Sequence, residues 1–290
     1  MNPSNHRSDV EAVERPARHA AEARFTARSV ITHVTSRLAR RSGSRRPRRT
    51  APPLPANAAL RWHVVRQHVA DVAPTRILEL GTGQGAVGAR LAEVADYVGV
   101  EPDEISRSTS QARLPAGARM VADLDELASA APFDLVCAFE VLEHIEDDVA
   151  ALRQWVEHVR PGGHLLVSVP AGPERFGPFD ELVGHQRRYS RNDLVAAFGA
   201  AGLEAVDVAH YGYPLGLLLE SARNLVGRRR LAAGAAPSDA ASRTAASGRS
   251  LQPPAWLGSV IWSATAPFRI VQRRFPDQGP GLVGLARRPG

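Results

Sequence analysis

Residues 77–85 read Ile77-Leu78-Glu79-Leu80-Gly81-Thr82-Gly83-Gln84-Gly85, a mostly apolar run cut off by three alternate glycines. The run predicts a short buried strand, Arg76–Leu80. The glycines predict a tight turn whose backbone can come close to a ligand, because glycine enters the positive-φ region without steric cost. A helix predicted over Ala86–Ala95 points its first free N–H groups at the same place. Strand, glycine turn and helix together open a nucleotide-binding α/β sheet. With Ala86, the spacing Gly81-x-Gly83-x-x-Ala86 also satisfies the dinucleotide fingerprint. The plain alternative is a glycine-rich turn that binds nothing.

Outward from this loop, apolar runs alternate with helical patterns. Strands are predicted at Tyr97–Val100, Arg119–Ala122, Phe133–Phe139, His164–Val169, Leu203–His210 and Gly281–Ala286. Helices are predicted at Leu60–Val72, Asp147–Val159 and Asn192–Ala201, the last closed by Gly202. This alternation is that of a doubly wound α/β sheet with helices on both faces. Glu101 closes the second strand about 20 residues beyond the loop, where a carboxylate accepts both ribose hydroxyls of an adenosine ligand. That fits a nicotinamide dinucleotide or S-adenosylmethionine; otherwise Glu101 is a solvated turn residue. Asp123 closes the third strand and suits an adenine amino group, a helix N-cap, or both.

Two further stretches narrow the choice. Phe133-Asp134-Leu135-Val136-Cys137-Ala138-Phe139-Glu140-Val141-Leu142-Glu143-His144-Ile145 precedes a helix, and Val159-Arg160-Pro161-Gly162-Gly163-His164-Leu165-Leu166-Val167 follows it. Taken with the Glu79 loop and Glu101, they resemble class I S-adenosylmethionine-dependent methyltransferases from Leu60 to about His210. The resemblance implies a seven-stranded Rossmann-like sheet of order 3-2-1-4-5-7-6 with the last strand antiparallel. It implies that Gly81, Gly83 and Gly85 hold the methionine portion of the donor, Glu101 the ribose and Asp123 the adenine edge, with Glu79, Phe139 and Glu140 also in the donor site. No Asn/Asp-Pro-Pro-aromatic tetrapeptide of DNA amino-methyltransferases follows the fourth strand. Cys137 lies inside that strand, so an inert buried thiol is expected.

Glu140-x-x-Glu143-His144, with His185 downstream, resembles the E-x-x-E-H cluster of ubiquinone-pathway O-methyltransferases and of small-RNA 2′-O-methyltransferases. Both groups are associated with a divalent cation. The resemblance implies that Glu140, Glu143, His144 and His185 hold Mg²⁺ or Mn²⁺, which would orient and acidify an acceptor hydroxyl. Two readings stand beside it: His144 as a metal-free general base, and a pair that merely begins a helix. His185 sits in Gly184-His185-Gln186-Arg187-Arg188-Tyr189, a departure from the family context. Arg187 and Arg188, with Tyr189, suit a substrate phosphate or carboxylate; the alternative is a solvated pair opposite Asp180 and Glu181.

Composition bounds the rest. The chain has 290 residues, a net charge of +6 and one cysteine. All 36 basic residues are arginine. Residues 1–55 carry 12 Arg against 4 acids, residues 56–215 carry 13 against 23, and residues 216–290 carry 11 against 3. Basic flanks suit anionic lipid, and the acidic middle disfavours a nucleic-acid groove. Arginine enrichment by coding bias explains the flanks equally well. The lone cysteine and the lack of a secretory h-region point to a reducing, cytoplasmic setting; the basic flanks leave peripheral membrane contact as an option.

The domain reading is a disordered Arg-rich arm over 1–55 and a methyltransferase core over 56–214. A helical insert follows over 215–280, with a linker at 232–250, and the final strand lies in 281–290. The insert has helices at Leu215–Val226 and Trp256–Arg273 and is placed to cap the acceptor pocket or to touch a membrane; packing on the domain or on a second subunit is the alternative. The leading expectation is O-methylation of a small or lipid-linked metabolite. RNA-terminal 2′-O-methylation is the rival within the class. A non-catalytic S-adenosylmethionine-binding protein and a nicotinamide oxidoreductase are the rivals outside it.

Overall fold

A computed structural model describes residues 51–234, 253–254 and 256–290. Most of the expected N-terminal arm and of the expected linker lie outside the described residues. In chain order the elements are α1 (Ala56–Val72), β1 (Arg76–Leu80), α2 (Gly88–Leu91), β2 (Asp96–Val100), α3 (Glu104–Arg113), β3 (Arg119–Val121), β4 (Phe133–Phe139) and α4 (Asp148–Glu157). They continue with β5 (Val159–Pro170), α5 (Pro178–Val183), α6 (Arg191–Ala200), β6 (Glu204–Tyr211), α7 (Leu215–Ala232), α8 (Leu257–Ala264), α9 (Ala266–Val271) and β7 (Gly281–Arg287).

The strands form one sheet of order β3-β2-β1-β4-β5-β7-β6. β1 lies parallel between β2 and β4, with Leu78 opposite Val98 and Val136. β7 runs antiparallel between β5 and β6. The expected sheet, including its antiparallel last strand, is therefore the observed one.

Strand side chains alternate between faces. Leu78, Val136, Ala138, Leu165 and Val167 point to one side and pack with Leu152 and Trp155 of α4 and Leu194 and Phe198 of α6. Ile77, Leu135, Cys137 and Leu166 point to the other and pack with Leu60, Val65 and Val69 of α1 and Leu91 of α2. Both faces are covered, so β4 is apolar almost throughout rather than alternating. Cys137 is fully buried and burial pushes its thiol up, as expected of an inert core cysteine.

Side chains cap the starts of α4 and α6. Asp147 accepts from Ala150 N at the start of α4 (2.9 Å), and Ser190 and Asp193 form a capping box on α6. Gly202, at φ +81°, turns the chain out of α6.

Four expectations shift. The helix expected over Ala86–Ala95 shrinks to Gly88–Leu91. Gly88 sits inside it, and a Cβ there would lie 2.3 Å from the Tyr97 hydroxyl, so close packing on β2 takes precedence over helix propensity. β5 starts at Val159 rather than His164, because Gly162 N donates to Arg288 O (3.0 Å) and Arg288 N to Gly163 O (2.9 Å). The helix expected over Trp256–Arg273 is split into α8 and α9 by Pro267, which lacks the N–H that a continuous helix needs. α3 is mostly polar and α5 is only 6 residues long, and no helix was expected at either. α3 buries only Ser106 and Ser110 and stands on its Asp103 cap.

Candidate functional site

The carboxyl ends of β1, β2 and β4 meet at the switch point of the sheet, where parallel α/β folds form their ligand crevice. Gly81, Gly83 and Gly85 hold φ of +67°, +52° and +75°. A Cβ on Gly81 would lie 2.5 Å from Val141 Cγ2, and one on Gly85 would lie 2.3 Å from Ser110 Oγ. A Cβ on Gly83 would meet nothing within 4 Å, so this glycine is the open side of the loop. Glu101 faces it: Oε2 accepts from Gly83 N (2.7 Å) and Oε1 from Asp103 N (3.0 Å). Burial raises its pKa against those two donors.

Glu79 lies buried beneath the loop and accepts from the Tyr97 hydroxyl. Burial pushes it up to about 8. Asp123 is exposed, and its Oδ1 accepts from Glu126 N (3.2 Å), so it does cap the following turn. The loop's open side at Gly83 and the Glu101 carboxylate beside it fit the amino-acid and ribose ends of a nucleoside sulfonium.

The residue that follows β4 is strained. Glu140 holds φ +57°, a left-handed value costly for a side chain with a Cβ. Its N–H donates to Ser168 O (2.9 Å). Its Oε1 accepts from Ser168 Oγ (3.0 Å) and the Tyr211 hydroxyl (3.2 Å), and lies 3.1 Å from Arg61 Nη1. Burial alone would raise the Glu140 pKa, but Arg61 and the hydroxyls outweigh it and hold the group below the usual carboxylate range. Arg61 also sits 5.8 Å from the centre of the buried Phe139 ring.

Beyond Glu140, the chain folds back so that Glu143, His144 and His185 converge, each offering one ligand atom within 4.8 Å of the others. Glu143 is 0% exposed, and neither carboxylate oxygen has a hydrogen-bond partner. Burial, reinforced by Glu140, pushes its pKa well up. His185 Nε2 stands 3.8 Å from Glu143 Oε1, and its Nδ1 is 2.7 Å from Asp180 Oδ1. His144 Nδ1 lies 3.2 Å from Gly184 O, which makes it the protonated nitrogen. The two rings meet edge to face, centroids 4.7 Å apart. Burial, then His185, lower His144 to about 4, so its imidazole is neutral near pH 7. The structure thus joins Glu143, His144 and His185, while Glu140 turns its carboxylate to Arg61.

The Arg-Arg-Tyr run is largely internal. Arg188 is buried; its Nε and Nη2 reach Asp180 at 2.9 and 2.7 Å, and its Nη1 meets Glu220 of α7. Arg175 takes the other oxygen of Glu220. Asp180 is held at about 2: burial would raise it, but His185 and Arg188 prevail. Tyr189 donates to Asp148 Oδ2 (2.8 Å), and Arg187 Nη1 lies 3.2 Å from the same oxygen. Asp180 opposite Arg188 was legible in the sequence as a solvated pair; its burial was not. Arg61, Ser168, Tyr211 and Glu220 were missed, being distant in sequence and carrying no motif.

Comparison with known proteins agrees with this architecture. Residues 27–208 match the methyltransferase domain family. A probable S-adenosylmethionine-dependent methyltransferase of Mycobacterium tuberculosis is 32% identical over 239 residues, covering 79% of this chain and 83% of that protein. A ubiquinone biosynthesis O-methyltransferase of Acinetobacter baylyi is 29% identical over 119 residues, covering 38% of this chain and 49% of that protein. The solved complex of the Haloferax volcanii Trm112 methyltransferase activator with a methyltransferase superposes with a TM-score of 0.51 at 16% identity, covering 79% of this chain and 90% of that one, which shows the fold. Sheet order, glycine loop, post-strand acids and family match converge on one conclusion: the chain belongs to the S-adenosylmethionine-dependent methyltransferases.

Proposed function

We propose that this methyltransferase acts on oxygen, at a hydroxyl of a small or lipid-linked metabolite. One observation carries the reading: a fully buried Glu143 carboxylate without a hydrogen-bond donor, set against two imidazoles and close to the strained Glu140 that follows β4. A buried carboxylate without donors is costly and calls for a proton or a cation. The donor set of one carboxylate and two imidazoles fits a divalent ion, and two imidazoles favour Mn²⁺ over Mg²⁺.

Glu143, His144 and His185 would hold that ion, and Asp180 fixes the tautomer of His185 from behind. Bound there, it would acidify an acceptor hydroxyl. Gly81, Gly83 and Glu101 would hold the donor, which supplies an electrophilic methyl group. With its Nδ1 proton on Gly184 O, His144 would offer Nε2 to the ion; that one lone pair cannot also take the hydroxyl proton, so a base role for His144 belongs only to the metal-free reading. Alignment of donor and acceptor supplies much of the rate.

The test is calorimetric and chemical. S-adenosylhomocysteine is titrated into the protein with and without Mn²⁺, and labelled methyl groups are followed into hydroxylated acceptors. Metal-dependent heat lost in Glu143→Ala, and an O-methyl product by NMR, support the reading. An N- or C-methyl product, or full transfer by the Glu143→Ala/His144→Ala double variant, overturns it.

A further inference from the structure

We propose that the cavity under α7 binds an oxyanion of the methyl acceptor on Arg223, so that the acceptor is a hydroxylated acid. This rests on the hydroxyl-acceptor reading above and names its substrate class. The cavity, about 30 Å³, lies between α7, α5 and the end of β4, and Glu140, Tyr211, Phe179, Arg223 and Asn57 are among its lining residues.

The charges at its wall balance, with one exception. Glu140 faces Arg61. Asp180 is taken by Arg188 and His185, and Glu220 is shared by Arg188 and Arg175. Each carboxylate thus has its cation. Arg223 lies with its guanidinium carbon 5.3 Å from the centre of the Phe179 ring, and its Nε is buried without a hydrogen-bond acceptor. Among the described residues it has no carboxylate within ion-pair distance.

A guanidinium stacked on an aromatic face with a buried, unsatisfied N–H is built to receive an oxyanion, which removes the desolvation cost of that donor. Asn57 Oδ1 is a second buried polar atom without a partner at the same wall. It suits a hydroxyl donor. One uncompensated cation and one unpaired acceptor have as their complement an acid that also carries a hydroxyl. His185 lines the same cavity, so an acid held there lies beside the Glu143–His144–His185 cluster.

The experiment titrates S-adenosylhomocysteine-loaded protein with acetate, inorganic phosphate, 3,4-dihydroxybenzoate and the methyl ester of the last. The wild type is expected to bind at least one of the three anions, and 3,4-dihydroxybenzoate at least ten-fold more tightly than its ester. Arg223→Gln should abolish that preference and Arg223→Lys should retain part of it, both keeping wild-type affinity for S-adenosylhomocysteine as proof of folding. Binding of no anion, equal binding of acid and ester, or a preference that survives Arg223→Gln overturns the site. The two readings fail separately. Acid preference with an N- or C-methyl product leaves the anion site and removes the hydroxyl reading. O-methyl products formed equally from acid and ester do the reverse.

Discussion

Glu79 shows what one buried carboxyl does to the whole protein. It lies under the glycine loop with the Tyr97 hydroxyl as its hydrogen-bond donor, and burial lifts it to about 8. In the unfolded chain it ionises in the ordinary carboxylate range. Between that range and about pH 8 the folded protein keeps a proton that the unfolded chain has lost, so stability falls as pH rises, by about 1.4 kcal/mol per pH unit at most from this group. Below the ordinary range both states are protonated and the loss vanishes. Glu79→Gln should therefore flatten the melting temperature of ligand-free protein between pH 5 and 8 relative to wild type. Parallel curves for the two proteins would show that Glu79 is ionised in the fold. At the same scale, Gly81→Ala places a Cβ 2.5 Å from Val141 Cγ2 at a φ of +67°, which costs about 1–2 kcal/mol for the backbone alone. Affinity for S-adenosylhomocysteine should drop at least ten-fold; calorimetry showing wild-type affinity would remove this loop from the donor site.

Among the elements, α7 decides whether the pocket is closed. It sits on α5 through Gly227, where a Cβ would lie 2.8 Å from Phe179 N and 2.9 Å from the Pro178 carbonyl carbon. Those are backbone atoms and cannot swing aside. Asn224 Oδ1 accepts from Phe179 N (3.2 Å), and Glu220 meets Arg188 and Arg175. Gly227→Val should lift α7, at about 1–3 kcal/mol for the overpacking. Amide exchange should rise in α5 and α7 while the sheet stays protected, and KM for the acceptor should rise more than kcat falls. Unchanged exchange in α7 would mean that it does not depend on this contact. The sequence placed an apolar helix here and left a cap, a membrane contact and packing on the domain open, but nothing in the spacing named Gly227 or Glu220.

At the scale of the whole molecule, most of the exposed large apolar side chains among the described residues fall within the basic C-terminal segment, residues 216–290. Trp256 is 73% exposed and Val260, one turn on, is 54% exposed. α8 buries none of its residues. Ile270 is 69% exposed next to Arg273 and Arg274. Apolar side chains flanked by arginine suit the interface of an anionic bilayer, the natural place for a lipid-linked acceptor. Among the described residues no helix is long and apolar enough to cross a membrane. Vesicles containing phosphatidylglycerol should retain the protein at low salt, and Trp256→Ser with Ile270→Ser should release most of it. Equal retention of wild type and variant, or none on anionic vesicles, would leave this face without a membrane role.

The sheet was legible in the sequence because its signals are local. Apolar runs of strand length, alternate glycines after Leu80, acids at strand ends and the Pro161-Gly162-Gly163 turn each act over a few residues, and their order along the chain dictates the doubly wound topology. The glycine loop and the acid after β2 were legible for the same reason: backbone conformation and strand-end position are properties of neighbours in the chain. The chemistry of the acceptor side was not. Glu140 and Glu143 are three residues apart in one motif, yet one is held ionised by Arg61 from α1 and the other buried without a donor. Arg188 read either as a substrate clamp or as a solvated partner of Asp180; its burial against Glu220, 32 residues later, came only with α7. Charge state and availability depend on what packing brings within a few ångströms, from any point in the chain. The sequence alone determined the fold and the kind of donor; which acids and bases remain free to act was decided only when α1, α5 and α7 closed over the end of β4.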